Sequence, residues 1–521
     1  MLLKLISMKY SVRYIMPAVF VMMVIASCKK ELLDVNTNPT AITGDRYDPN
    51  FLLTTTQLMY TGSSDFGAEN WQTEWGGIAG YIQHTASINT SYYYGDKYLN
   101  SPGNFGVYFE RAYTYQVQPV VELYELTLNK PKYQNLHQMA RIMKALVFER
   151  ITDIYGDVPY SQAGLGYYKG IFAPAYDKQE AIYTDLIKEV SEATDSLDES
   201  LDKPTGDVFF ASKGASQIAE WKMFGNTVLL RMGMRLTKVD PTKAQAIVQK
   251  VAGKTMQSNA DNAIVQHQVG NVTQNRDSWS ILQQDSSDLK LSKTYIDMLQ
   301  QNNDPRLHIM AIIYAKNDTT AASQVGLPGG YRLGGTKPEF DITKRADYPA
   351  LGMQGYSRLN NIILSYTAPN LILTYSESEF LLADAAKRWG IGDAAGHYKN
   401  GVIAALTQLA AFGDGAVISN AAAEKYYNAH PYNDADGLNQ INTQFWLCTV
   451  MNEYEAWSNW RRTGYPVLQP TNYPNNVTSG TIPRRMEYPQ SQKITNKDNY
   501  NAAIKDLTGG DKLTSRMWWD K

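Results

Sequence analysis

Two cysteines in 521 residues leave no disulfide framework: Cys448 has no partner other than Cys28. The six histidines are also scattered. No two lie within five residues of each other, so the short His–His spacings of metal sites are missing. No metal and no cofactor are expected. A net charge of −2 supplies no basic field for nucleic acid. The chain contains no G-x-S-x-G, no P-loop and no G-x-G-x-x-G. Its glycine-rich stretch GLPGGYRLGG has the wrong spacing for a phosphate cradle and reads as a loop. Phenylalanine is scarce too, with 14 Phe against 36 Tyr and 10 Trp. Tyr and Trp join an apolar body to a polar tip and suit half-wet surfaces, or cap a helical core.

One apolar run stands out, at the start of the chain. Lys4, Lys9 and Arg13 precede it, and no acid occurs before Glu31. The run from Ile15 to Ser27 is too short for a bilayer, which needs about 20 residues. Basic start, short apolar middle and small residues at the end describe a secretory signal. Its end, Ile25-Ala26-Ser27-Cys28, resembles the bacterial lipobox, whose cysteine is lipidated and becomes the new N-terminus. Residues 1–27 are therefore expected to be a lipoprotein signal peptide, with Cys28 as the lipidation site. Residues 28–45 are expected to form the anchor and a polar tether, and residues 46–521 the folded domain. By analogy with known lipoproteins, Lys29 after the cysteine removes one signal for inner-membrane retention.

The rest reads as helix. In LHQMARIMKALVFERITDIYGDVP the apolar residues Leu136, Met139, Met143, Leu146, Val147, Ile151 and Ile154 share one face. Gly156 and Pro159 stop it. YDKQEAIYTDLIKEVSEATDSL opens with Asp177 and Glu180, a capping-box pattern. QIAEWKMFGNTVLLRMGMRL is a third helix, and DPTKAQAIVQKVAGK a fourth with Asp240 as N-cap. Residues 375–410 read as two helices joined near Gly390 and Gly392, a hairpin of tetratricopeptide size. Stretches 260–290, 315–360 and 465–500 look irregular, and long irregular segments are usually functional. The expected fold is mostly α: one domain on diverged tetratricopeptide-like helix pairs, carrying long ligand-binding loops.

Catalytic residues do not declare themselves. Carboxylates such as Glu377 and Glu379 read as solvated or helix-capping acids, and a glycosidase pair depends on spatial separation. NDADG lacks the acidic twelfth position of an EF-hand, since the count from Asn433 lands on Gln444. Binding residues do suggest themselves. ENWQTEWGGIAGYIQ places Trp71 and Trp75 four apart, and NTSYYYGDKY follows with Tyr92, Tyr93 and Tyr94 among polar residues. Trp279 lies in another polar stretch. Flat rings beside amides and carboxylates suit a sugar site. A buried helical stripe is the competing reading for Trp71 and Trp75.

Six ordered segments then resemble one family. They are ALVFERITDIYGDVPYSQA (145–163), NDPRL (303–307), YSESEFLLADAA (375–386), EAWSNWRRTGYPVL (455–468), IPRRMEYPQSQKITNKDNYNAAI (482–504) and the terminal RMWWDK. Together they resemble the SusD/RagB family of nutrient-binding outer-membrane lipoproteins. The resemblance implies binding without catalysis, on the outer face of the outer membrane. It implies a SusC-like TonB-dependent barrel as partner, over which the protein closes as a lid to deliver an oligosaccharide or another nutrient. Arg150, Asp153, Tyr155, Arg461 and Arg462, which lie in the signature segments, read as scaffold. A lipid-anchored glycan hydrolase and a structural or adhesive surface lipoprotein are the alternatives.

Cys28→Ala is expected to abolish lipid attachment, leaving uncleaved precursor or soluble protein. Metabolic labelling with a fatty-acid analogue checks this, and label on the variant refutes the lipobox reading.

Overall fold

Apolar residues at three- and four-residue spacing dominate the chain, and they fold as helices. The computed structural model describes residues 47–63, 67–270, 272–284 and 288–521. The expected signal peptide, Cys28 and the tether lie outside the described residues. Contacts gather Pro49–Lys521 into one unit. Its longer helices are α1 (Asn50–Tyr60), α2 (Gln118–Thr127), α3 (Gln134–Tyr155), α4 (Gln179–Ser196), α5 (Gln217–Arg235), α6 (Pro241–Val251) and α7 (Arg276–Gln284). They continue with α8 (Lys293–Gln301), α9 (Tyr375–Trp389), α10 (Ala394–Thr407), α11 (Asn420–Ala429), α12 (Gly437–Cys448), α13 (Glu453–Thr463) and α14 (Lys497–Ile504). Successive helices pack on one another: α2 on α3, α3 on α4, α4 on α5, α5 on α6, α9 on α10, α10 on α11 and α12 on α13. The mostly helical fold expected from the sequence is the one observed.

Strands only clip loops to this scaffold. Among the described residues, eight short strands form four antiparallel pairs: β1 (Thr85–Ser87) with β5 (Leu289–Leu291), β2 (Val158–Pro159) with β3 (Tyr176–Asp177), β4 (Ala263–Val265) with β8 (Asn370–Leu373), and β6 (Ala311–Ile312) with β7 (Arg358–Leu359).

Several local expectations hold. The buried face of α3 carries Leu136, Met139, Met143, Leu146, Val147, Ile151 and Ile154. Asp240 caps α6, accepting from Lys243 N at 2.9 Å, a contact worth about 1 kcal/mol. Asp177 behaves differently. The N-cap of α4 is Lys178, with no side-chain cap. Asp177 sits in β3 and accepts instead from Tyr160 N, Ser161 N and Ser161 Oγ. Strand pairing pulled it one residue out of capping position. The irregular stretches also hold more structure than their composition suggests. Residues 260–290 contain α7, and residues 315–360 wrap a small core of Leu327, Ile342 and Tyr356 against Ala86.

Among the described residues no helix is long and apolar enough to cross a membrane. Charge is carried inside instead. Asp384 on α9 meets Arg462 of α13 at 3.0 Å and Arg388 one turn along its own helix. Burial alone would raise its pKa, but the charges of Arg462 and Arg388 outweigh burial and hold the carboxyl at about 2. The depressed value means that its stabilisation is complete above the unfolded value, near 4, and is lost as pH falls towards 2. The two-unit gap amounts to about 2.5 kcal/mol. Asp384→Asn is expected to cost about 3–5 kcal/mol near neutral pH, because Arg462 is left buried without its counter-charge. Denaturant unfolding checks this: the gap between wild type and variant should narrow as pH drops towards about 2.

Candidate functional site

The site begins with a helix wound wider than usual. Glu69–Ile78 is a π-helix that continues as α-helix through Tyr81. π-winding over ten residues is rare and tends to mark functional places. The following loop lies flat on this helix because of two glycines. A Cβ on Gly76 would stand 2.8 Å from the Tyr92 carbonyl oxygen, and one on Gly77 would stand 2.6 Å from the Tyr94 hydroxyl. Neither distance is sterically open to a side chain.

That close approach divides the three tyrosines. Tyr94 is fully buried, its hydroxyl donating to Gln72 O at 3.0 Å and its ring edge-on to Phe105 at 5.4 Å. Tyr93 is 2% exposed. Only Tyr92 faces outward, 52% exposed. An Asx turn fixes it, in which Asn89 Oδ1 accepts from Ser91 N at 2.8 Å and Tyr92 N at 3.0 Å. The Asn89 amide donates to Asp288 at the foot of β5, so the β1–β5 pair anchors the turn. Below it, the buried pair Asp96–Lys97 ties the loop to Ser87 O and to Gly330 N.

The tryptophans divide the same way. Trp75 is 1% exposed, and its indole N–H donates to Asp277 Oδ1 at 3.1 Å. Trp71 is half-buried, and its ring lies 5.4 Å from that of Tyr92 at a 35° tilt. Trp279 is half-buried on α7, the helix that packs against the π-helix. Gln283, one turn on from Trp279, shares its face and bonds the Tyr366 hydroxyl at 2.5 Å. The six expected ligand-binding residues therefore separate. Trp71, Tyr92 and Trp279 keep accessible surface, and the first two are brought together. Trp75, Tyr93 and Tyr94 are corrected to interior positions, because the glycine pair opens a slot that draws the chain down after Tyr92. Asn89 and Gln283 went unnoticed in sequence, although Asn-x-Ser before an aromatic is a recognisable Asx-turn signal.

Acidic groups beneath this surface are sealed. Both oxygens of Asp277 are engaged, Oδ1 by Asn70 and Trp75, and Oδ2 by Asn370. Burial, then the charges of Asp277 and Glu453, push Glu74 well above the usual carboxylate range. The cavity shared by Glu74, Asp277 and Arg150 measures about 20 Å³, room for about one water and far too small for a sugar ring. No group of three or more His, Cys, Asp or Glu placed to hold a metal ion occurs among the described residues.

Comparison with known proteins decides the family. A family model described as SusD-like, starch-binding and associating with the outer membrane, matches residues 45–489. The chain belongs to the SusD-like family. A solved structure of a chitin-binding protein is 32% identical, with 91% of this chain and 100% of that one covered and a TM-score of 0.78. A Bacteroidetes SusD-like structure is 25% identical at the same coverage, with a TM-score of 0.76. A chitin-binding SusD homologue from Flavobacterium johnsoniae shares the fold, at 21% identity over 91% of this chain and 98% of that one, with a TM-score of 0.72. Curated protein sequences give no match. Membership makes this a chain of a carbohydrate-binding family associated with the outer membrane.

The division of the tyrosines has a direct test. Tyr93→Ala empties an interior position and is expected to cost about 3–5 kcal/mol, as for other large buried rings. Tyr92→Ala should leave the melting temperature nearly unchanged. Thermal unfolding of both variants measures the contrast, and equal losses refute the assignment.

Proposed function

We propose that this SusD-like protein captures an oligosaccharide at the outer face of the outer membrane and delivers it to a SusC-like TonB-dependent transporter, closing over that barrel as a lid. The observation that carries the binding half is the Trp71–Tyr92 ring pair, set on the surface of a family member by an Asx turn and a loop laid against Gly76 and Gly77. Rings held this way lose little entropy when a pyranose stacks on them, and preorganisation of this kind raises affinity. Gln283 stands on the flanking α7, and amides of this kind bond sugar hydroxyls. Trp279 completes the proposed surface. Chitin oligosaccharides are the first ligands to try, after the 32% identical chitin-binding structure; starch oligosaccharides come second, after the family description.

Anchoring belongs to the same reading. Cys28 carries the lipid, residues 28–45 form the tether, and the domain from residue 46 onward does the binding. Two or more acyl chains hold a protein stably, at about 0.8 kcal/mol per buried CH₂. Catalysis has no part in it. Glu74 and Asp277, beneath the ring pair, are sealed around a one-water cavity, whereas a hydrolase needs two carboxylates that reach the glycosidic bond.

Trp71→Ala and Tyr92→Ala are each expected to weaken glycan binding by about 1–3 kcal/mol, the range for one stacked ring, measured by calorimetry against chitin and starch oligosaccharides. Unchanged affinity in both variants moves the site elsewhere. Mild detergent extraction at native expression should recover a TonB-dependent barrel with the protein, across an interface of at least about 1,000 Å². Repeated recovery of the protein alone counts against the lid.

A further inference from the structure

The terminal motif Arg516-Met517-Trp518-Trp519-Asp520-Lys521 contains two adjacent tryptophans with opposite fates. Trp519 is fully buried. Its indole N–H donates to Asp153 Oδ1 at 2.9 Å, and the Arg235 and Arg461 guanidinium groups lie over its ring at 5.5 and 4.8 Å. Packing accounts for it completely. Trp518 is turned the other way, half-buried, with the Tyr183 ring 6.2 Å behind it. Its other neighbour is a cavity of about 590 Å³, within the roughly 300–1,000 Å³ of small-ligand pockets.

The walls of the cavity are firm. It lies between the turn after α3, the first residues of α4, the end of α14 and the terminal segment. Asp157 Oδ1 accepts from Gln179 N at 2.9 Å, while Lys178 Nζ bridges Asp157 Oδ2 at 2.9 Å and Asp506. Gln179 fixes the floor, donating to Thr152 O at 2.8 Å and touching Met517 Sδ at 3.9 Å. None of these elements contributes to the Trp71–Tyr92 surface.

Its charges decide the ligand class. Asp157, Glu180 and Asp506 face Lys178, Arg516 and Lys521 around the cavity. Three acids against three bases leave no net charge, which favours an uncharged ligand over an anion or a cation. What remains is one indole, the aliphatic side chains of Leu507 and Met517, the hydroxyls of Thr508 and Thr514, and a ring of donors and acceptors. That combination suits a molecule with one apolar face and many hydroxyls. We propose that this cavity is a second saccharide site, taking an uncharged sugar residue against the Trp518 ring. It would let a long glycan be held at two places on one molecule, which raises avidity without any new contact.

Full-length protein labelled with 5-fluorotryptophan tests this by fluorine NMR, with Trp518→Phe and Trp71→Phe identifying the two resonances. Millimolar N-acetylglucosamine oligomers or maltooligosaccharides are expected to shift the Trp518 resonance in wild type and equally in Trp71→Ala. Trp518→Ala, titrated by calorimetry in the Trp71→Ala background, should bind these sugars about tenfold or more weakly than Trp71→Ala alone, and in the otherwise wild-type protein it should leave the Trp71 response intact. A Trp518 resonance that none of these sugars moves overturns the proposal, whether or not Trp71 responds. A larger shift with glucosamine or glucuronate than with the neutral sugars overturns it as well. A Trp518 response without one at Trp71 supports the second site and counts against the first.

Discussion

Arg231 and Arg235, one helical turn apart on α5, are buried in the middle of the molecule, and the rest of the fold is arranged to neutralise them. Arg231 meets Glu149 of α3 at 2.6 Å, Glu377 of α9 at 3.6 Å and Glu455 of α13 at 3.7 Å. Arg235 meets Glu455 at 2.6 Å and Asp153 at 3.2 Å. Buried charges are tolerable only when paired, and removing one partner of such a pair costs about 3–5 kcal/mol. Four helices distant in sequence are thereby held to one point. Glu377 shows the strain on the charge count. Burial, opposed by Arg231 and reinforced by the charges of Glu455 and Glu149, pushes its carboxyl up to about 8. Two guanidinium groups then face Glu149, Asp153 and Glu455, and Tyr183 Oη and Trp519 Nε1 share the load on Asp153.

This lattice explains why the family segments read as they do. The segments at 145–163, 375–386 and 455–468 each supply one of its arms, and the terminal motif supplies Trp519. Arg150, which lies in the same stretch, stacks on Tyr60 at 3.7 Å and donates to Tyr60 O at 2.8 Å. Arg461 lies on Trp457 at 3.8 Å and donates to Asp153 O. Arg461 is interior and Arg150 half-buried, and both pair within the scaffold, the role expected for these signature-segment residues. The lattice and the Trp71–Tyr92 surface both touch the π-helix, which packs against α13 and against α7.

Helical periodicity is local, and local signals were legible. The faces of α3, α4 and α5, the Asp240 cap and the α9–α10 hairpin follow from residues within a few turns of one another. What escaped the sequence depended on distant partners. Asp177 was drawn from capping by β2, and α7 hid in a polar stretch because its inward face is carried by Asp277, Ser278, Ser280 and Ile281 rather than by an aliphatic stripe. The three tyrosines at 92–94 were rightly placed in a loop, yet two of the rings are interior. The cause, Gly76 and Gly77, lies some sixteen residues earlier and acts only once the loop has folded back.

Distant partners also account for many of the tyrosines. An excess of Tyr over Phe suggested half-wet surfaces, and a core-capping role was the plainer alternative. The hydroxyls decide it. Tyr94 donates to Gln72 O, Tyr155 to Phe105 O, Tyr454 to Glu69 O, Tyr488 to Asp157 O and Tyr113 to Pro159 O. Buried carbonyl oxygens must find donors, and a chain with long irregular segments and strands of two to four residues has few ladders to supply them. A phenylalanine at these positions would fill the same volume and lose that hydrogen bond, at about 0.5–1.5 kcal/mol each. Tyrosine is therefore the residue that lets a helical protein keep long loops rigid. Rigid loops in turn are what allow a few exposed rings, Tyr92 and Trp71 among them, to stand ready for a ligand without being buried themselves.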